Sequence, residues 1–289
     1  MVMKRQLPKA IPAIHPLPEH LVDSQRLAWY QDMKAVLRVP SMGVVTMAFS
    51  HYPNFFAELW RGLRPVCASA PFNEALVRLQ EHSDAQAATL APSSLEAALG
   101  GLGYAPGEVD EIRAVLEAFH HGNQAYLLIA TLARLLLEGG RFGDERNVAP
   151  PFYGEQATTQ AAPAVLMEAH HADKPTRELY ADIKTTLGVP FVNTEYRALA
   201  RWPSYFSLAW GSLRPQLHSA PHEALCTALH EEALQLCRHF PNPEGLDAAG
   251  LKHAASQDAA LAEVLEVSRL FQWLLPGLII NLAYFRAQL

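Results

Sequence analysis

The chain is poor in cysteine. Its 289 residues include three cysteines, Cys67, Cys226 and Cys237, and no Cys-x-x-Cys pair. An odd and sparse set argues against a disulfide framework and indicates reduced thiols, which predicts a cytoplasmic protein. The lack of a Cys-x-x-Cys pair also argues against redox chemistry by paired thiols.

The sequence lacks the motifs of several common enzyme classes. It has no Gly-x-Ser-x-Gly segment, no glycine-rich phosphate loop and no His-Glu-x-x-His segment. These absences argue against α/β hydrolases, nucleotide-dependent enzymes and zinc proteases. Thirteen histidines are present, but the neighbours in His120-His121 and in His170-His171 cannot both face one site from a regular helix. We therefore expect no metal and no organic cofactor.

Basic charge and long apolar runs are also scarce. The net charge is -6, and no basic stripe marks a nucleic-acid surface. The most apolar stretch, Leu270 to Phe285, is short and carries Gln272, Pro276 and Asn281, which favours a buried core helix over a membrane span. The segment Leu7 to Pro18 lacks the apolar centre of a signal peptide. We expect neither a nucleic-acid partner nor a membrane.

What the chain does contain is an internal copy. Tyr30 to Pro71 matches Tyr180 to Pro221 at a constant offset of 150, without a gap. A repeat this long, present twice, is typical of a duplicated half-domain rather than of a solenoid. We expect the halves to pack about a pseudo-twofold axis, with a cleft between them. The matches include Asp32/Asp182, Lys34/Lys184, Trp60/Trp210 and Arg64/Arg214, which we interpret as equivalent structural contacts in the two halves.

Both halves are predicted to be all-α. Strand patterns are limited to short apolar pairs, whereas helical periods recur between prolines such as Pro53, Pro65 and Pro71. Residues 141–165 are rich in Gly, Pro, Gln, Thr and Ala, which predicts an N-terminal repeat over 1–140, a linker over 141–165 and a C-terminal repeat over 166–289.

Two local features of the first half predict helix boundaries. Ser93 to Glu96 has a capping-box pattern that would begin a short helix. Gly122 and Asn123 interrupt a long apolar stretch, so we expect one helix over Pro106 to Phe119 and another over Gln124 to Glu138.

The clearest difference between the halves is at position 195. Glu195 begins a predicted helix where the first half has Val45. If the two helix starts face each other, Glu195 lies against Val44 and Val45, and burial raises its pKa towards that of a general base. The alternative is a solvated first-turn glutamate favoured by the helix dipole, and the residues alone favour this alternative.

Asn123 is the second candidate. Its amide can donate and accept together, which suits the orientation of a water beside a carboxylate, although a helix cap is an equal alternative. Matching the two halves through the Val-Leu-Glu at 115–117 and at 264–266 puts Gln272 opposite Asn123, which makes Gln272 a candidate pocket residue.

Several segments together resemble a known family, the group I 2-haloacid dehalogenases. The likeness covers nearly the whole chain. The segments are Leu37-Arg38-Val39-Pro40, Tyr52-Pro53, Leu59-Trp60-Arg61, Phe119-x-x-Gly122-Asn123-x-x-Tyr126 and Ala198-Leu199-Ala200-Arg201-Trp202-Pro203.

The resemblance implies an all-α pseudo-dimer whose active site lies between the repeats. Such enzymes need no cofactor, and their partners are a small 2-halocarboxylic acid and water. A carboxylate activates the water, which displaces halide with inversion. The general base falls on Glu195, where the family has the shorter Asp. The orienting amide falls on Asn123 and the pocket tyrosine on Tyr126.

The same resemblance extends to the pocket walls. The residue two before the base, Asn193, would influence which enantiomer fits. An aromatic wall of the first repeat is replaced by Ser41 and Val44, which would make the pocket wider. We expect the substrate carboxylate to meet backbone N–H groups at the helix start near Phe191 to Thr194.

A second hypothesis remains open from the sequence. The chain would then be a helical scaffold that binds a small acid or acts on a different substrate. Exposure of Glu195, or its pairing with Arg197 or Arg201 outside a cavity, would favour that hypothesis. The residues also leave open whether the chain forms a homodimer.

Overall fold

The protein is all-α, as predicted. Its computed structural model describes residues 3–143 and 163–289, and these residues contain α-helices, two short 3₁₀ helices and no β-strand. The α-helices are α1 Ser24–Leu37, α2 Val44–Phe49, α3 Pro53–Cys67, α4 Ala70–Ala88, α5 Glu96–Gly101, α6 Pro106–Leu137, α7 Lys174–Leu187, α8 Thr194–Leu199, α9 Pro203–Leu213, α10 Ala220–Arg238, α11 Ala248–Asp258 and α12 Leu261–Arg286.

The sequence repeat is also a repeat of helices. The starts of α1, α2, α3 and α4 recur at the starts of α7, α8, α9 and α10 with the same offset of 150. The caps recur as well, because Asp23 accepts from the Arg26 N–H at 2.8 Å and Asp173 accepts from the Thr176 N–H at 2.9 Å. Most of the predicted linker lies outside the described residues.

The duplicated Asp, Trp and Arg residues make the equivalent contacts expected of them. In each half an aspartate on the first helix accepts from a tryptophan on the third and pairs with the arginine four residues after that tryptophan. The contacts are Trp60 Nε1 to Asp32 at 2.9 Å, Trp210 Nε1 to Asp182 at 2.8 Å, Arg64 to Asp32 at 2.8 Å and Arg214 to Asp182 at 2.9 Å. The duplicated lysines do not, because Lys34 pairs with Glu19 at 2.5 Å and the second half has Ala169 where the first has Glu19.

Helices α6 and α12 form the centre of the molecule. They contact each other more extensively than any other pair, and α12 also packs on α4 and α10. The predicted break at Gly122 and Asn123 is wrong, because α6 is continuous through both residues. Gly and Asn lower helix stability by about 1 kcal/mol or less each, whereas nearly every residue from Gly122 to Leu137 is buried, and that burial decides the local structure.

Prolines and capping residues predicted some helix boundaries correctly and others wrongly. Pro53 and Pro71 lie in the first turns of α3 and α4, where proline is tolerated, but Pro65 lies inside α3 and does not end it. Helix α5 exists, but the predicted capping box does not form, because its cap position is Leu95 with no side-chain bond. Among the described helices none combines the length and the hydropathy needed to cross a bilayer.

Candidate active site

A cavity of about 700 Å³ lies where the two repeats meet. Its walls come from the start of α2, the middle of α6, the start of α8 and one face of α12. Val44 and Val45 of the first repeat and Glu195 of the second all line it. The helix starts that differ between the halves therefore border the same space, as the sequence comparison predicted.

Glu195 is a buried carboxylate on the wall of this cavity. It lies in the first turn of α8 with 3% of its surface exposed. The Asn123 Nδ2 donates to Glu195 Oε1 at 2.9 Å. Burial raises the pKa of Glu195 above its ordinary value, while hydrogen bonding, including that from Asn123, acts against the rise. The alternative of a solvated first-turn glutamate is wrong.

Within residues 3–143 and 163–289, no arginine forms a direct ion pair with Glu195. Arg197 pairs with Glu168 at 2.6 Å, and Arg201 pairs with Glu111 at 3.0 Å. The exposed or outward-paired glutamate on which the scaffold hypothesis depended is therefore not what the structure contains. A carboxylate buried without a cationic partner is costly for the fold, and such arrangements are concentrated at functional sites.

Asn123 and Tyr126 project from α6 towards the cavity. Tyr126 uses its hydroxyl to hold the chain before α2, since it accepts from the Gly43 N–H at 2.8 Å and donates to the Ser41 carbonyl at 3.2 Å. Burial raises the pKa of Tyr126, so the phenol stays neutral and can donate. Tyr126 lines the cavity as predicted, but its polar atom is engaged with the loop that carries Ser41.

Two polar atoms beside the base have no partner within the described part of the chain. Asn193, only 8% exposed, caps α8 without a side-chain bond, and its Oδ1 is buried and unpaired. The Thr194 Oγ1 is likewise buried and unpaired. Both residues line the cavity. Buried polar atoms are normally hydrogen-bonded, so these two mark where a ligand or a water would bind.

Gln272 is not where the sequence predicted it. It does not line the cavity. It lies fully buried in a separate polar cluster, where it accepts from Arg134 Nη1 at 2.5 Å and contacts the His230 ring. The face of α12 towards the cavity consists of Phe271, Leu274, Leu275 and Leu278. Each residue turns about 100° around a helix axis, so a side chain one position from this face points away.

A buried polar chain behind Glu195 was missed by the sequence comparison. The Asn281 Nδ2 donates to the Tyr196 hydroxyl at 2.9 Å, and the Asn281 Oδ1 lies 3.0 Å from His222 Nε2. Burial lowers the pKa of His222, so the ring is neutral and donates through Nε2 to Asn281. This chain connects α8, α12 and α10 and fixes the residue next to the base. The polar Asn281 within an apolar stretch was the available signal.

No set of three or more His, Cys, Asp or Glu side chains suited to a metal ion occurs in residues 3–143 and 163–289. The neighbouring His120 and His121 rings do not face a common site. His120 contacts the Ser83 hydroxyl at 3.0 Å and Arg286 at 3.0 Å, whereas His121 contacts the Leu37 carbonyl at 3.1 Å. The two neighbouring rings thus serve different structural contacts.

The chain has similar sequences among known proteins. No protein-family model matches the chain. It is 42% identical over 250 residues to an (R)-2-haloacid dehalogenase of Rhizobium sp. (strain NHG3), covering 84% of this chain and 95% of that protein. It is 35% identical over 288 residues to an (R)-2-haloacid dehalogenase of Pseudomonas putida, covering 98% and 96%.

Solved structures agree over the whole length. A D-2-haloacid dehalogenase mutant in complex with D-2-CPA aligns with a TM-score of 0.90 at 33% identity, covering 99% of each chain. A D-2-haloacid dehalogenase in complex with L-LA aligns with a TM-score of 0.88 at 32% identity, again covering 99% of each.

Proposed function

The chain belongs to the 2-haloacid dehalogenases, and we propose that it hydrolyses (R)-2-halocarboxylates with Glu195 as the general base. The (R) preference is inferred from the two relatives named (R)-2-haloacid dehalogenases, which the chain matches over most of its length. The position of Asn193 beside the base supports a pocket in which the two enantiomers are not equivalent.

One observation carries the assignment of the base. Glu195 is buried in the wall of the shared cavity and held by Asn123 at 2.9 Å. Because Asn123 donates through Nδ2, its Oδ1 remains able to accept from a water. A water beside both groups can give one proton to Glu195 while its second O–H is held by Asn123.

The reaction then balances in one displacement. Glu195 removes a proton from the water, the water oxygen forms a bond to the α-carbon, and the carbon–halogen bond breaks. The halide leaves with the bonding electron pair from the opposite face. The product is the 2-hydroxy acid of inverted configuration. Burial assists because a carboxylate poorly solvated by water is a stronger base.

The substrate carboxylate needs hydrogen-bond donors in the cavity wall. We place it near the start of α8, where the first backbone N–H groups have no intrahelical acceptor. The Thr194 hydroxyl lies on the same wall without a partner and can donate to the carboxylate. Ser41 and Val44 form the facing wall and leave room for the substituent on the α-carbon.

We also propose a cytoplasmic location, which the state of the thiols supports. Cys67, Cys226 and Cys237 are all free and buried. Free thiols are typical of a reducing compartment, which supports a cytoplasmic location.

Bromide release from the separate enantiomers of 2-bromopropanoate tests the function. We expect release from the (R) form, an (S)-lactate product, and a loss of at least about a thousandfold in kcat for Glu195→Gln. Glu178→Gln is the matched control, since Glu178 is an exposed residue of α7 paired with Lys174. Unchanged turnover in folded Glu195→Gln would remove Glu195 from the role of base.

A further inference from the structure

The cavity is larger than a short haloacid requires. A volume of about 700 Å³ falls in the range of about 300 to 1,000 Å³ that encloses drug-sized ligands. A three-carbon haloacid and one water fill only a small part of it. The remaining space belongs to the same cavity as Glu195 and has room for a longer substrate.

The extra space runs along one face of α6. Asn123, Phe119, Val115 and Glu111 all line the cavity and lie four residues apart on this helix. At about 1.5 Å per residue, the lining extends about 18 Å from the amide beside the base to Glu111. The cavity therefore has an elongated wall with the reacting groups at one end.

The surfaces along this wall are apolar. Between Asn123 and Glu111 the lining side chains of α6 are alanines, Val115 and Phe119, and those of α12 are Phe271, Leu274, Leu275 and Leu278. Val115 and Phe119 are partly exposed, packed against the core on one side. No ionic group of α6 or α12 lines the space between the base and Glu111. Such a surface favours an aliphatic occupant over a polar one.

Charged side chains line the cavity at the Glu111 end of the α6 wall. Glu111 and Arg201 form an ion pair of which both side chains are 54% exposed. This pair lies in the lining at the end of the α6 face. The α6 wall thus runs from Asn123 beside the base, along apolar side chains, to a hydrated ion pair, while Glu168, Lys184 and Arg197 of the second repeat line other parts of the cavity.

We infer that the enzyme's preferred substrates are 2-halocarboxylates with an alkyl chain of about six to ten carbons, whose tail lies along α6. Each bond of an extended chain advances about 1.25 Å, from bonds of about 1.52 Å at about 111°, so a chain of this length fits within the 18 Å wall. The inference rests on the proposed function, because the halogen-bearing carbon must lie at Glu195.

A chain-length series of (R)-2-bromo acids tests the inference. Bromide release is measured for the propanoate, hexanoate, octanoate and decanoate below their micellar concentrations. A fully buried methylene favours binding about fourfold, and partial exposure halves that factor. We expect kcat/KM to be at least about tenfold higher for the octanoate than for the propanoate, mainly through KM.

The outcomes separate the two proposals. An octanoate value equal to or below the propanoate value overturns the inference and leaves the dehalogenase assignment in place. An absence of bromide release from all four acids by the folded protein overturns both. A rise with chain length supports both.

Variants of residues that line the cavity show where the alkyl chain of the substrate lies. Ala118→Leu and Ala114→Leu each fill part of the α6 face, and the octanoate-to-propanoate ratio of kcat/KM should fall at least about tenfold in either. Ala114 is exposed, so its substitution is compatible with folding. Ala85→Leu is the matched control, an exposed position of α4 away from the cavity, and should keep the ratio. A ratio kept in both cavity variants places the tail elsewhere and overturns the inference.

Discussion

At the scale of single residues, Glu195 is held by two opposing effects. Burial disfavours its ionised form, while hydrogen bonds from the backbone and from the Asn123 N–H at 2.9 Å favour it. Burial is the larger effect, and the pKa is raised. A general base must be ionised to act. The hydrogen bond from Asn123 favours the ionised form of Glu195, and burial makes that form a stronger base.

The first prediction is the pH dependence of turnover. The kcat/KM for the (R)-2-bromo acid should rise with pH through an apparent pKa above the value of about 4.3 for a solvated glutamate. Asn123→Ala removes a hydrogen bond that favours ionised Glu195, so the rise of kcat/KM with pH should shift to higher pH. The kcat should be lower by about a hundredfold. Asn73→Ala, at a partly exposed position of α4, is the control. An unchanged apparent pKa of kcat/KM in Asn123→Ala would contradict the role given to the Asn123 amide.

The second prediction concerns stability. Folding raises the pKa of Glu195, so its contribution to stability is greatest below the unfolded pKa and declines as pH rises through the folded pKa. Glu195→Gln removes this penalty and keeps an oxygen for Asn123. Urea unfolding at pH 8 should show the variant more stable by about 1 to 2 kcal/mol, a usual gain when functional strain is removed. The difference should shrink at pH 4, and a less stable variant at pH 8 would argue against a strained carboxylate.

At the scale of helices, the site depends on how α2 and α6 approach each other. Tyr126 of α6 lies directly against Gly43, the residue before α2, and accepts its N–H. A Cβ at Gly43 would come 2.3 Å from the Tyr126 ring. Only glycine lets the tyrosine close this contact, which sets the position of Ser41 and Val44 on the cavity wall.

The third prediction follows from that contact. Gly43→Ala should destabilise the protein by about 1 to 3 kcal/mol, the usual cost of overpacking, and should lower kcat/KM. Gly211→Ala is the matched control, because a Cβ there meets nothing within 4 Å on an exposed part of α9. Removing a helical glycine there should instead add about 0.5 to 1 kcal/mol. Denaturant midpoints of the two variants compare the effects, and equal midpoints would contradict the assigned contact.

The helices also show which sequence signals were sufficient. Pro53 and Pro71 mark the first turns of α3 and α4, because the start of a helix is set by local chemistry, whereas Pro65 does not end α3. The continuity of α6 through Gly122 and Asn123 was not predictable from propensity, since it results from burial by neighbours distant in sequence. Gln272 was assigned to the pocket by matching the halves, and that match does not specify the rotation of α12 about its axis. Glu195 was identified because the two copies differ there.

At the scale of the whole molecule, the two halves share structural contacts and differ in chemistry. The Asp–Trp–Arg contacts are equivalent in both, with Trp–Asp distances of 2.9 and 2.8 Å. By contrast, the cavity receives Val45 from one half and Glu195 from the other. The duplicated framework thus gives the cavity a buried carboxylate from the second repeat and an apolar wall from the equivalent position of the first.

The fourth prediction uses this duplication as an internal control. Asp32→Ala and Asp182→Ala each remove one indole acceptor and one half-exposed ion pair. Each should therefore lower the free energy of unfolding by about 1 to 2 kcal/mol. The two values, from urea unfolding, should agree within about 1 kcal/mol. A loss confined to one half would contradict the structural equivalence of the repeats.

The route of the water oxygen tests the mechanism most directly. A single turnover with excess enzyme in ¹⁸O-labelled water, followed by mass spectrometry of the 2-hydroxy acid and of the peptide that carries Glu195, distinguishes a base from a nucleophile. If Glu195 activates water held by Asn123, the hydroxy acid carries ¹⁸O in the first turnover and the Glu195 peptide does not. Unlabelled product together with ¹⁸O in the Glu195 carboxylate would show attack by Glu195 itself and contradict the account.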